Sequence, residues 1–275
     1  MYLSYLLVNT GDNPDRPRPG RLWLRNVYRV HQRLCMGFPS AECKEHDPLF
    51  LQPYKPGRFP EDHYMADRKK LEVSEDILKQ VHSQRDNQSG FLFRIDPLPA
   101  GRAMIVIQSA IEPDWDYAFR NADHLLAASP QIKQYDPHFQ NGELLTFRLL
   151  ANPTRKRDKE NRPAGRNNWG RRVPVPRNET EAWLTSRAGR YGFSVESFDN
   201  VQTGYVAAFK SKEKDGDSQV ADEETEGRLK RFLYARYEGK LRVTAPDSIR
   251  NAIIQGIGPA KGFGFGLLSL APVKG

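Results

Sequence analysis

Tyr28 and His31, three residues apart in the run YRVHQRLCMGF, set a phenol beside an imidazole. At helical spacing two such residues share a face, so their polar tips can converge on one reacting group. Imidazole titrates near neutrality and suits general acid–base work, worth about 10²–10⁴-fold in rate. The flanking residues also support a plainer reading. Leu24, Val27, Tyr28, His31, Leu34, Cys35 and Phe38 recur at 3.6-residue spacing and predict a core-facing helix over 22–36. On helical geometry alone, His31 is first a half-buried core histidine.

A second chemistry-bearing stretch is FRLLANPTRKRDKENRPAGRNNWGRR, residues 147–172, with nine Lys and Arg against only Asp158 and Glu160. That local excess is nearly the whole net charge of +8. Arginine forks engage phosphates in bidentate fashion, and the interleaved amides and Trp169 are groups that meet bases. A solvated basic loop is the bland alternative, but charge concentrated in this way favours a nucleic acid.

A third is GIGPAKGFGFG, with Gly256, Gly258, Gly264 and Gly266 in the pattern G-h-G-x5-G-h-G, h being apolar, and Gly262 inside the five-residue gap. No Gly-Lys-Ser/Thr follows, so this is no Walker loop, and Lys261 stands where a dinucleotide fingerprint needs its third glycine. KGFGF opens like an RNA-recognition-motif signature, yet too few residues follow it for the helix and strand still owed. Glycines here let backbone approach a ligand or a neighbouring segment closely, with N–H groups available to phosphate or spent on tight packing.

The elements that must carry these residues follow from hydrophobic periodicity. Strands are expected at 2–9, 91–95, 103–109 and about 131–139, with helices over 22–36 and 115–128. From Glu143 the order begins again. ELLTFRLLANP is a strand and NETEAWLTSRAGRYG a helix with Asn178 and Glu181 at capping-box spacing. GYVAAFKS and RFLYARYEGKLRVT form a strand pair, APDSIRNAIIQGIG is a helix, and FGFGLLSLAPV is the last strand. The fold expected is α+β: two tandem ferredoxin-like (RRM-like, βαββαβ) domains, 1–140 and 141–275. A Pro- and charge-rich insertion, 39–89, interrupts the first and holds a short helix, SEDILKQVHSQ. The acidic stretch 211–227 is expected to be a solvated hairpin loop.

Composition narrows the class further. No run of 18 apolar residues indicates a membrane span, and MYLSYLLVNTGDNP reads as a first strand rather than a signal peptide. Two cysteines, Cys35 and Cys43, are too few for a disulfide framework, and a cytoplasmic protein is expected. With His46 and His63 they match no familiar zinc spacing, so no metal and no nucleotide cofactor are expected.

MYLS at the start, YRVHQRL…FP, FRLLANPTR and QGIGPAKGFGFGLLSLAP together resemble the CasE-type CRISPR-associated endoribonucleases, the repeat-cleaving subunits of the type I-E Cascade complex. The resemblance runs end to end and is least over the insertion. It implies a metal-independent enzyme that binds the repeat hairpin of precursor CRISPR RNA and cuts once at the 3′ base of the stem. Such cleavage yields mature crRNA with a 2′,3′-cyclic phosphate and a 5′-hydroxyl product. By the same resemblance His31 is the catalytic histidine and Tyr28 contributes beside it. The stem is gripped by Arg148, Asn152, Arg155, Lys156, Arg157, Arg162, Arg166, Arg171 and Arg172, with Arg25, Lys210, Lys212 and Lys261 adding to the surface. Other Cascade subunits are the implied protein partners. The competing expectations are a non-catalytic RNA-binding scaffold subunit of a CRISPR ribonucleoprotein and, from charge alone, a DNA-binding module.

Overall fold

The computed structural model describes residues 1–11, 18–38, 90–156, 172–209 and 229–273. The helix SEDILKQVHSQ, the acidic stretch 211–227 and the second cysteine all lie outside them. Contacts divide the chain into one unit of Met1–Leu24, Arg29–Phe91 and Ile95–Gln134, and another of Arg25–Tyr28, Leu92–Arg94 and Tyr135–Gly275.

The first half of the chain runs β1 (Tyr2–Asn9), α1 (Pro19–Leu24), α2 (Val27–Cys35), β2 (Phe91–Leu98), β3 (Arg102–Ser109), α3 (Trp115–Phe119) and β4 (Gln131–Gln134). The sheet order is β2-β3-β1-β4, and β1 is antiparallel to both β3 and β4. This is the ferredoxin-like order. Along β1, Ser4, Leu6 and Val8 point inward at period two, and Val27, Val30 and Leu34 of α2 are buried.

Two helices depart from expectation. The 22–36 helix is broken at Arg25–Asn26, because the Asn26 side chain accepts a hydrogen bond from the Tyr28 amide (3.2 Å) and so restarts the helix as an N-cap. The 115–128 helix is capped by Asp114, which accepts from the Tyr117 amide (2.8 Å), but ends at Phe119. Beyond it a single 3₁₀ turn, Asp123–Leu125, leads Leu126 into a bridge with Val8. Strand-like pairing, including Ala127 N–H to the Leu7 carbonyl (2.7 Å), takes the place of the last helical turns.

The second half runs β5 (Leu144–Ala151), β6 (Thr154–Lys156), β7 (Arg172–Pro174), α4 (Thr180–Ala188), β8 (Phe193–Phe209), β9 (Leu229–Val243), α5 (Pro246–Gln255) and β10 (Leu268–Pro272). The main sheet is β10-β5-β9-β8, entirely antiparallel, again the ferredoxin-like order with β6-β7 inserted as a separate hairpin. Inward residues alternate cleanly along β9: Leu233, Ala235, Tyr237, Leu241 and Val243. Trp183 and Leu184 of α4 and Ile249, Ala252 and Ile253 of α5 supply the buried helical faces. Burial pushes the Tyr237 phenol above its ordinary pKa, and its O–H donates to the Thr180 carbonyl (2.7 Å).

Long β8 carries bulges between Val195 and Ser197 and between Phe198 and Asn200. Gly239 pairs with Phe198 at the second of them, where a Cβ would run into the Ser197 carbonyl. The expected capping box fails for a local reason. Asn178 sits inside a 3₁₀ turn, Arg177–Glu179, and Glu179 becomes the cap position with no side-chain bond.

Candidate active site

Within the first unit, His31 is half-buried on the middle turn of α2. Its ring stacks on Phe91 (centroids 5.4 Å apart, 27° between planes), and Phe38 stacks on Phe91 in turn (5.2 Å, 20°). Nε2 lies 3.5 Å from the Cys35 thiol, one turn along the helix. The imidazole is therefore held by a ring face and a polar edge, which restricts its rotation without fully removing it from the surface. Arg33 anchors the same helix, donating to the Ala118 carbonyl (3.0 Å) and the Asn121 side-chain oxygen (2.8 Å). Gly37 ends it: its carbonyl accepts from the Asp114 amide (2.7 Å), and any Cβ there would enter the Trp115 ring.

Of the stripe expected from sequence, Val27, Leu34, Cys35 and Phe38 are buried and the fully buried Val30 joins them; Tyr28 and His31 are half-buried, and half-buried Leu24 lies in α1 across the break. Cys35 and Phe91 are the residues sequence reasoning missed as neighbours of His31. Cys35 was legible at i+4 from the histidine; Phe91, sixty residues away, carried no local signal. Of the other histidines, His124 lies in the 3₁₀ turn after α3 and His138 sits exposed beside Asp136 (3.8 Å).

Tyr28 belongs to the second unit, where its ring lies 6.5 Å from that of Phe263 in the glycine-rich loop. That loop is tightly cross-bonded. Gly256 closes α5 by donating to the Ala252 carbonyl (2.8 Å), Ile257 N–H donates to the Gly266 carbonyl (2.9 Å), and Gly266 N–H donates to the Leu150 carbonyl of β5 (2.8 Å). Gly256, Gly258, Gly264 and Gly266 all have positive φ. A Cβ on Gly256 would sit 2.9 Å from Leu92 and one on Gly266 3.0 Å from the Ile257 carbonyl. The N–H groups of Gly256, Ile257, Gly264 and Gly266 are thus spent on the protein, and close packing is what these glycines serve. Gly262 lies within the 3₁₀ turn Lys261–Phe263.

The basic surface is partly described. On β5, Arg148 Nε pairs with Glu238 Oε1 (2.8 Å), the residue opposite it in the β5–β9 register. The β6–β7 hairpin places Lys156 directly opposite Arg172, both exposed, with Arg155 beside them at 3.2 Å from Glu179. Like charges facing each other across a hairpin repel, and an anionic partner relieves that repulsion. Arg25 is exposed at the break before α2, and Lys261 is half-buried. Arg157, Arg162, Arg166, Arg171, Lys210 and Lys212 lie outside the described residues. Asn152 corrects the expectation. It is buried, and its amide donates to the Leu233 carbonyl (2.6 Å), so it braces β5 rather than facing solvent.

Also within the second unit, a polar cavity of about 560 Å³ is lined by Arg172, Arg187, Arg190, Asn251, Gln255 and Lys261. Sequence reasoning places Arg172 and Lys261 in separate motifs and passes over Arg187 and Arg190; their spacing across the end of α4, SRAGR, was the available signal. No group of three or more His, Cys, Asp or Glu residues suited to a metal ion occurs among the described residues, and no helix among them is long and apolar enough to cross a membrane.

Comparison with known proteins adds the following. The family model described as CRISPR associated protein matches residues 72–272. The CRISPR-associated endoribonuclease Cse3 of Thermus thermophilus is 27% identical over 195 residues, covering 68% of this chain and 82% of its own. The Cascade subunit CasE of Escherichia coli is 25% identical over 276 residues, covering 99% of this chain and all of its own. A solved structure of Cse3 bound to a 19-nucleotide RNA shares the fold, with a TM-score of 0.62, 23% identity and coverage of 99% and 100% of the two chains.

Proposed function

The chain belongs to the CRISPR-associated protein family, and from that membership we propose that it is a metal-independent endoribonuclease that binds the repeat hairpin of precursor CRISPR RNA and cuts it once at the 3′ base of the stem. The observation that carries the catalytic part is the setting of His31: half-buried, stacked on Phe91 and held at its edge by Cys35. The names of the two relatives, an endoribonuclease and a Cascade subunit, support the same substrate and assembly.

The chemistry asks little of cofactors. RNA brings its own nucleophile, the 2′-hydroxyl, which loses its proton and attacks the adjacent phosphorus. The bond from phosphorus to the 5′-oxygen breaks, and that oxygen is protonated. The products are a 2′,3′-cyclic phosphate and a 5′-hydroxyl. His31 carries one of the two proton transfers. Tyr28, on the preceding turn of the same helix, orients the 2′-hydroxyl or donates to a non-bridging oxygen.

Arg25, Arg148, Arg155, Lys156 and Arg172 hold the backbone of the stem. The Arg148–Glu238 pair does not prevent this, since an exposed ion pair is worth only about 0–1 kcal/mol and a phosphate competes with the carboxylate. Residues 1–140 and 141–275 are the two ferredoxin-like domains of this enzyme, its partners are the repeat hairpin, the mature crRNA and other Cascade subunits, and it works in the cytoplasm. The test is a repeat RNA with a single 2′-deoxy substitution at the scissile nucleotide, offered in EDTA. It should bind like the all-ribose RNA and remain uncut; cutting of the deoxy substrate, or loss of all-ribose cleavage in EDTA, would overturn the mechanism.

A further inference from the structure

The cavity on the helical side of the second unit shares Arg172 with the surface proposed for the stem, but as a cavity it has no part in that reading. We propose that it receives an unpaired nucleotide of the RNA that flanks the hairpin stem, its phosphate on the guanidinium groups and its base edge on the amides; this rests on the RNA-processing reading. Four cations reach the cavity from four separate segments: Arg172 from β7, Arg187 from the last turn of α4, Arg190 from the turn after it, and Lys261 from the glycine-rich loop. Among the described residues no acidic side chain lines the cavity, and none of the four cations makes an ion pair with a carboxylate. Positive charge gathered in a concave wall without a counter-charge focuses the field on an anion.

Two of the cations are already oriented. The Arg187 guanidinium lies 4.9 Å from the Trp183 ring centroid and donates to the Trp183 carbonyl (3.0 Å). Arg190 lies 5.0 Å from the Tyr191 ring and donates to its hydroxyl (3.0 Å). Each fork has five N–H donors, so most remain for a phosphate, and ring stacking has already restricted the side chain. The ligand class follows from the other wall. Asn251 and Gln255, four residues apart on one face of α5, bring amide donors and acceptors that a bare anion would not use. A phosphate ester joined to a hydrogen-bonding base uses both sets. An A-form stem keeps its bases stacked inside and presents phosphates on a convex ridge, whereas an unpaired nucleotide can be splayed into a cavity of this size.

The experiment compares two RNAs on the full-length protein by fluorescence anisotropy at one stated salt concentration. One is the bare repeat hairpin; the other carries unpaired nucleotides, with separate arms for the 5′ and 3′ sides. The readout is the affinity advantage that the flank confers. In the parent that advantage should be about five- to twentyfold on one side, the scale of one or two charge-assisted phosphate bonds. Arg190→Gln, an exposed position that can be changed without disturbing the core, should reduce it to about threefold or less, and Asn251→Ala should reduce it independently. Melting curves check that both variants fold. A parent that cuts the hairpin but gains nothing from either flank, or an advantage that survives in both variants, overturns the cavity assignment alone. A parent that binds neither RNA overturns the RNA-processing reading with it.

Discussion

Replacing His31 with alanine separates catalysis from folding, because the structure assigns the side chain very different weights in each. Loss of a proton-transfer group costs about 10²–10⁴ in rate, equivalent to about 2.7–5.4 kcal/mol on the barrier. Its structural share is smaller. The ring is half-buried, and its contacts include a stack on Phe91 and a weak contact with the Cys35 thiol; an aromatic stack is worth about 0.5–1.5 kcal/mol. Against a typical folding stability of about 5–15 kcal/mol, such a loss leaves the variant folded. Single-turnover cleavage of a repeat hairpin in EDTA, with protein in excess, reads the chemical step, while anisotropy and a thermal melt report binding and folding on the same preparation. The rate should fall at least a hundredfold while the melting temperature moves by a few degrees. His31→Ala cleaving at the parental rate would refute the assignment of His31. A parent that binds the hairpin tightly but never cuts it would instead support a scaffold subunit.

Three further outcomes follow from individual contacts. Gly37→Ala puts a methyl group into the Trp115 ring at the end of α2, and about 1–3 kcal/mol of stability should be lost to overpacking; an unchanged melting temperature would contradict that geometry. Asn152→Ala removes a buried 2.6 Å bond to the Leu233 carbonyl and should cost about 1–3 kcal/mol in a denaturant titration. The salt dependence of RNA binding should not change with it, and a shallower slope would return Asn152 to the RNA surface. Arg155→Gln and Lys156→Gln should each lower the slope of log affinity against log salt by about 0.7–0.9, the signature of one lost phosphate contact; a slope unchanged in both would remove the β6–β7 hairpin from the interface.

Element order was legible because hydrophobic periodicity is a local property. The alternation along β9 and the 3.6-residue stripes of α2 and α5 stand in the chain itself, and their order sufficed to predict two βαββαβ repeats. Boundaries were less legible where a local competitor intervened. Asn26 restarts a helix that the stripe alone would continue, and Leu126 leaves helical geometry for a bridge to Val8. His31 was identifiable as a candidate from residue type and spacing, and its catalytic reading came from resemblance rather than from geometry. What tertiary structure decided were the contacts between residues far apart in the chain. Phe91 meets the imidazole across sixty positions, Asn152 is turned inward by Leu233, and the loop N–H groups are consumed by Ala252, Gly266 and Leu150. The cavity belongs to the same class, since Arg172, Arg187, Arg190 and Lys261 occupy four segments that only the folded sheet and its helices bring together. Sequence spacing determines which face of an element a side chain occupies; what that face meets depends on long-range packing, which spacing does not encode.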